Sequence, residues 1–321
     1  MQDINIKEIE NIKLGNYSDF TNATGCTVIY SERFMPTGIC VKGGGPASRE
    51  SNLCNSLTFT EGVNAIVLSG GSAYGLDSAS GVMKYLEENN IGLPVINGVV
   101  VPLVVGSSLF DLGLGSSKVR PDASFGYQAC LNSENKFESG NFGAGLGCSI
   151  GKINGMSTAM KSGLGQYAVE ANGVKVGAVV AVNAIGDVFE NGEKLAGLLN
   201  NSKSSFLSSS NVLIEKINSN FNAFNTNTTI ASVFTNAKFD KRQMNKMASN
   251  LTSAFSNTIK PVFTSFDGDT IYASSCGDVD ADFDAVSVLA NYVLEKAIVD
   301  AIKSTDSAYG LMSYQEFRNR N

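Results

Sequence analysis

Asn225-Thr226-Asn227-Thr228-Thr229-Ile230-Ala231 closes a polar, Asn/Ser-rich segment and opens a run of small and β-branched residues. Further along, Asp267-Gly268-Asp269-Thr270 sets two carboxylates one residue apart about a glycine. The chain holds no histidine. A hydroxyl nucleophile here needs another general base, and a threonine that becomes a chain terminus carries one in its own α-amine. Cutting the Asn227–Thr228 bond would give Thr228 both groups, with an amine pKa near ~8 before any perturbation. The ordinary alternative is a pair of β-branched residues that simply start a strand.

Around this stretch the periodicity outlines alternating strands and helices. Val63–Leu68 and Val174–Val182 are continuous apolar runs, as buried strands are. Thr228–Thr235 reads as a third strand and Thr270–Ala273 as a short fourth. Helical spacing runs from Leu76 to about Glu88. It returns after a candidate N-cap, Asp240, over Met244, Met247, Ala248, Leu251, Ala254 and Phe255, and again from Val286 to Ala301. Ile91–Val105 reads as strand material broken by turns. Residues 200–227 are more than half Asn and Ser and read as a flexible linker. The stretch after Asn227 is thin for an independent core, so a single domain, 1–321, with a cleavable internal segment is expected. The layered sheet-and-helix pattern admits two central sheets flanked by helices.

With 321 residues, 43% of them hydrophobic and 17% charged, the composition is globular. The net charge of −6 includes no Lys/Arg block, which argues against a nucleic-acid partner. No apolar stretch is long enough for a membrane span, and the charged N-terminus is not a signal peptide. Six scattered cysteines without CxxC spacing point to buried free thiols and a cytoplasmic location, with no metal and no cofactor expected. Gly43-Gly44-Gly45 and Gly70-Gly71-Ser72-Ala73-Tyr74-Gly75 match neither phosphate-binding fingerprint. Asp267 and Asp269 suit proton transfer or holding an ammonium, although Asp-Gly-Asp also makes plain solvated turns. Lys152 is either a surface lysine or a site cation. Asn183, ending a buried strand, is either a turn former or an oxyanion donor.

The ordered set of segments resembles one family, the DmpA-type aminopeptidases, β-peptidyl aminopeptidases and nylon-oligomer endo-hydrolases. The matching residues are Leu68-Ser-Gly-Gly-Ser-Ala-Tyr-Gly-Leu-Asp77, Ala144-Gly145 with Gly151-Lys152, Val180-Ala-Val-Asn-Ala-Ile-Gly-Asp187, Asn227-Thr-Thr-Ile-Ala-Ser-Val-Phe-Thr-Asn236 and Phe266-Asp-Gly-Asp-Thr270. The resemblance implies an αββα sandwich and self-cleavage into chains 1–227 and 228–321 that stay associated. It implies a small peptide or amide substrate and a homo-oligomer, a tetramer of cleaved heterodimers. It also implies Thr228 as nucleophile after Asn227, Asn183 in the oxyanion hole, and Lys152, Asp267 and Asp269 at the site. Where some members place a tyrosine hydroxyl near the nucleophile, this chain has Phe110, a substrate-pocket candidate that cannot donate a hydrogen bond. A non-catalytic scaffold of the same fold and a threonine acyltransferase are the rival expectations.

Overall fold

A computed structural model describes residues 1–218 and 227–320. Two mixed sheets stack face to face. The first has five strands in the order Lys13–Asp19, Thr24–Met35, Val63–Ser69, Val104–Ser108 and Ala47–Arg49. The second has six, in the order Gln2–Asp3, Leu164–Ala171, Val174–Asn183, Thr228–Ala237, Thr270–Val279 and Thr37–Val41. Each sheet has one parallel pair. In the first, Val63–Ser69 lies beside Val104–Ser108, with the helix Ser78–Glu88 in the crossover. In the second, Thr228–Ala237 lies beside Thr270–Val279, with two helices in the crossover.

Strand periodicity sorts the side chains between layers, because alternate residues face opposite sides. Ile230 and Phe234 point between the sheets and meet Ile66, Leu68, Val105, Val179 and Tyr272 there. Ala231 and Val233 point the other way, into a core with the helices Lys241–Asn250, Thr252–Thr258 and Phe283–Lys303. On the far side, Val28, Tyr30, Ala65 and Val67 bury against Val82 and Leu86 of the first helix and Phe125 and Ala129 of the helix Ala123–Leu131. The layers are therefore helix, sheet, sheet, helix, as expected.

The elements read from the periodicity form where it puts them, and the Ile91–Val105 region is indeed broken into short pieces, whereas the strands Lys13–Asp19, Thr24–Met35, Thr37–Val41 and Leu164–Ala171 lie outside that reading. The helix after Asp240 breaks at Leu251 into two. The strand expected over Thr270–Ala273 runs on to Val279 because Thr228–Ala237 and Thr37–Val41 pair on either side of it. The linker reading of 200–227 needs correction. Ser209–Glu215 is a helix capped by Ser208, and Ser209 donates its backbone N–H and its hydroxyl to the buried Asp187 carboxylate. A carboxylate anchor outweighs the weak helix propensity of Ser and Asn here. The last part of that segment, 219–226, lies outside the described residues. No helix among the described residues is long and apolar enough to cross a membrane.

Candidate active site

Thr228 is the first residue of its strand, at the end of the sheet where Asn183 is its register partner and both are buried. Strand alternation turns its side chain toward the space between the sheets. The residue before it, Asn227, forms a parallel bridge with Asp267. Through that bridge the Gly268 N–H donates to the Asn227 carbonyl oxygen at 3.0 Å. The same N–H reaches Thr228 Oγ1 at 3.2 Å, and the Thr228 hydroxyl donates to the Asn227 carbonyl oxygen at 2.5 Å. The hydroxyl, the carbonyl and one backbone donor thus meet at a single peptide bond.

The Asp267-Gly268-Asp269 loop is not the solvated turn its composition allows. Both carboxyl groups are buried. Asp269 Oδ1 accepts from the Thr229 N–H at 2.6 Å and its Oδ2 from the Phe263 N–H at 3.2 Å. Asp267 Oδ2 accepts from the Thr264 N–H at 2.6 Å, while its Oδ1 is buried without a hydrogen-bond partner. Burial pushes both acids up. Asp269, with the Asp267 charge beside it, is pushed up to about 8. The pair therefore retains a proton near neutral pH.

Gly43-Gly44-Gly45 is the backing of this loop. The N–H groups of Lys42 and Gly45 bind the carbonyls of Asp269 and Asp267 at 3.0 and 2.8 Å. A Cβ at Gly43 would sit 2.1 Å from the Asp267 oxygen, so only glycine allows the approach.

Lys152 is not a surface residue. It is 3% exposed, and its Nζ donates to the Asn183 Oδ1 at 2.7 Å and to the Asn183 carbonyl at 3.1 Å. Burial brings its pKa down to about 8, against the raising pull of Cys148, Asp267, Asp111 and Asp269. The Ser149 N–H also donates to Asn183 Oδ1 at 3.1 Å, so the amide's oxygen is fixed by two donors. Its Nδ2 is thereby turned to the donor side, where it reaches the Phe110 carbonyl at 2.8 Å. An amide carries two N–H groups, which leaves one beyond that contact. Phe110 is half-buried and lines a cavity of about 50 Å³ with Asp111, Leu114, Gly147, Ser149, Lys152 and Met156.

Two buried groups carry roles that their sequence positions do not suggest. Asp111 takes the Gly71 N–H and the Thr24 hydroxyl, each at 2.7 Å, and burial lifts it to about 6. The Gly70-Gly71 turn thus closes on a carboxylate of this chain, and a Cβ at Gly70 would sit 2.0 Å from Asp111 Oδ2. Lys161, with no exposure, donates to the carbonyls of Gly145, Cys148 and Ser162, holding the glycine-rich wall of the cavity; burial lowers it to about 8. A lysine between Met160 and Ser162-Gly163, beside no other charge, was the available signal. Among the described residues, no cluster of three or more His, Cys, Asp or Glu side chains could hold a metal ion. All six cysteines are free, and burial pushes the Cys148 thiol near the site up to about 12.

The helix–sheet–sheet–helix layering is that of the Ntn hydrolase fold. The solved L-aminopeptidase D-Ala-esterase/amidase of Ochrobactrum anthropi, described as a variant of that fold, superposes with a TM-score of 0.69 over 98% of this chain and 92% of its own, at 14% identity. Residues 4–312 match the model of peptidase family S58, and the chain belongs to that family. An uncharacterized aminopeptidase of Mycobacterium leprae is 30% identical over 96% of this chain and 92% of its own. A 6-aminohexanoate-oligomer endohydrolase of Kocuria sp. is 25% identical over 92% and 85%. This chain is an amide or peptide hydrolase.

Proposed function

We propose that the protein is a self-processing hydrolase of short peptides or amide oligomers whose nucleophile is Thr228. The single observation that carries this reading is the meeting of the Thr228 hydroxyl, the Asn227 carbonyl and the Gly268 N–H described above. In the first reaction Thr228 Oγ1 bonds to the Asn227 carbonyl carbon and the Asn227–Thr228 C–N bond breaks. The hydroxyl proton ends on the departing nitrogen, with Asp267 and Asp269 as the buried acid–base groups on the adjoining loop. Water then hydrolyses the ester, leaving chains 1–227 and 228–321.

The freed α-amine of Thr228 serves as the base for substrate turnover in a chain without histidine. It takes the Oγ1 proton during attack on a substrate carbonyl and returns it to the leaving amine. Asn183 stabilises the oxyanion with its remaining amide N–H, Lys152 keeps the amine neutral by its charge, and the two aspartates hold amine and hydroxyl in place.

Two variants test these roles. Thr228→Ala stays a single chain on prolonged incubation, read by intact mass. Asn183→Ala lowers kcat for a peptide amide by ~10²–10³-fold, the usual cost of one oxyanion donor. Cutting in Thr228→Ala, or full turnover in Asn183→Ala, overturns the assignment.

A further inference from the structure

The geometry points to the backbone N–H of Gly268 as the oxyanion donor of the self-cutting reaction, with the Gly43–Gly45 strip as the buttress that aims it. This rests on the reading of Thr228 as the attacking residue and names the group that stabilises the charge its attack creates.

When Oγ1 adds to the Asn227 carbonyl carbon, the carbonyl oxygen becomes an alkoxide that needs donors already in place. The Gly268 N–H stands 3.0 Å from that oxygen, within the range effective for such donors. Asn227 and Gly268 are both buried, so the interaction acts in a low-dielectric setting where it is worth most. The N–H is shared with Thr228 Oγ1 at 3.2 Å. The sharing has a chemical sense: as Oγ1 becomes an ester oxygen it loses acceptor strength, and the N–H turns wholly to the alkoxide.

Aim is fixed from behind. The Gly45 N–H holds the Asp267 carbonyl at 2.8 Å, so it grips the very peptide unit whose nitrogen is Gly268. The Lys42 N–H holds the Asp269 carbonyl at 3.0 Å on the other side, and the Gly44 N–H reaches the Thr264 carbonyl at 3.3 Å. Side chains are excluded at both surfaces of the loop. A Cβ on Gly43 would meet the Asp267 oxygen at 2.1 Å, and one on Gly268 would meet Thr228 Oγ1 at 2.8 Å. The glycine at 268 therefore lets the donor approach the scissile bond, and the glycines at 43 and 44 let the support approach the donor.

The test removes one hydrogen and little else. Glycolate introduced at position 268 of the full chain by nonsense suppression replaces the N–H with an ester oxygen. Glycolate at position 45 is the comparison, since it deletes the bond that aims the donor and leaves the Gly268 N–H itself in place. Cutting is followed by intact mass from the moment of refolding, with folding checked by circular dichroism and the thermal midpoint. The expected result is a ~10²–10³-fold slower cut for the 268 ester, at a native-like midpoint, and a distinctly smaller slowing for the 45 ester, which keeps the donor and loses only its support. Equal slowing in both esters overturns the proposal, because the loss would then be one of loop shape. So does a 268 ester that cuts at the wild-type rate, or one that loses its fold while the 45 ester keeps it. A wild-type chain that never cuts would instead remove the reading beneath it, and the two failures are told apart by that one lane.

Discussion

Lys152 shows how far a single charge is fixed by its surroundings. Its ammonium is buried, yet both polar atoms it touches belong to Asn183, the register partner of Thr228. At pH below about 8 it carries a positive charge. A positive neighbour disfavours a second ammonium, so in the proposed cleaved form it would lower the pKa of the Thr228 amine and extend activity to lower pH. In Lys152→Met the amine pKa therefore rises, and the acid limb of the kcat/KM profile moves to higher pH by roughly one unit. A limb that stays put or moves to lower pH contradicts the role given to this lysine.

At the scale of the element, the helix Lys241–Asn250 rests on a capping box. Asp240 accepts from the Gln243 N–H at 2.7 Å, and the Gln243 side chain answers the Asp240 N–H at 3.0 Å. This helix covers the core face of the sheet that carries Thr228. Asp240→Ala should lower stability by about 1 kcal/mol, measured as a shift of the urea midpoint at unchanged slope, with cutting unaffected. A shift near zero would mean the cap is replaced by solvent. The cap was legible because an Asp precedes an apolar stripe of period 3.6. The helix Ala123–Leu131 carries a comparable signal, Asp122 accepting from the Ser124 and Phe125 N–H groups, but it is only nine residues long and Gly126 interrupts it. The Ser209–Glu215 helix had almost no local signal, since its start depends on Asp187, distant in sequence. The site obeys the same logic. Thr228, Asn183 and the two aspartates were legible as candidates through the family resemblance, since residue type at element ends left ordinary alternatives open for each. The burial of Lys161, the closure of Gly70-Gly71 on Asp111 and the backing of the acid loop by Gly43-Gly44-Gly45 arise only when distant segments meet.

For the whole molecule, the strand order predicts that the proposed cut at residue 227 would not dismantle it. Thr228–Ala237 and Thr270–Val279 lie side by side in the six-stranded sheet. Val174–Asn183 pairs on one side of them and Thr37–Val41 on the other. The part of the chain after residue 227 is thus gripped by the preceding part on both edges, and its helices bury against the same sheet. A broken bond at the strand's first residue releases a terminus and leaves the ladder intact. Self-processing is tested most sharply by N-terminal sequencing of the chains in active protein purified under native conditions. Two co-eluting chains are expected, the smaller beginning Thr-Thr-Ile-Ala-Ser-Val. Fully active protein in which residue 228 is still joined to residue 227 would refute a catalytic chain terminus.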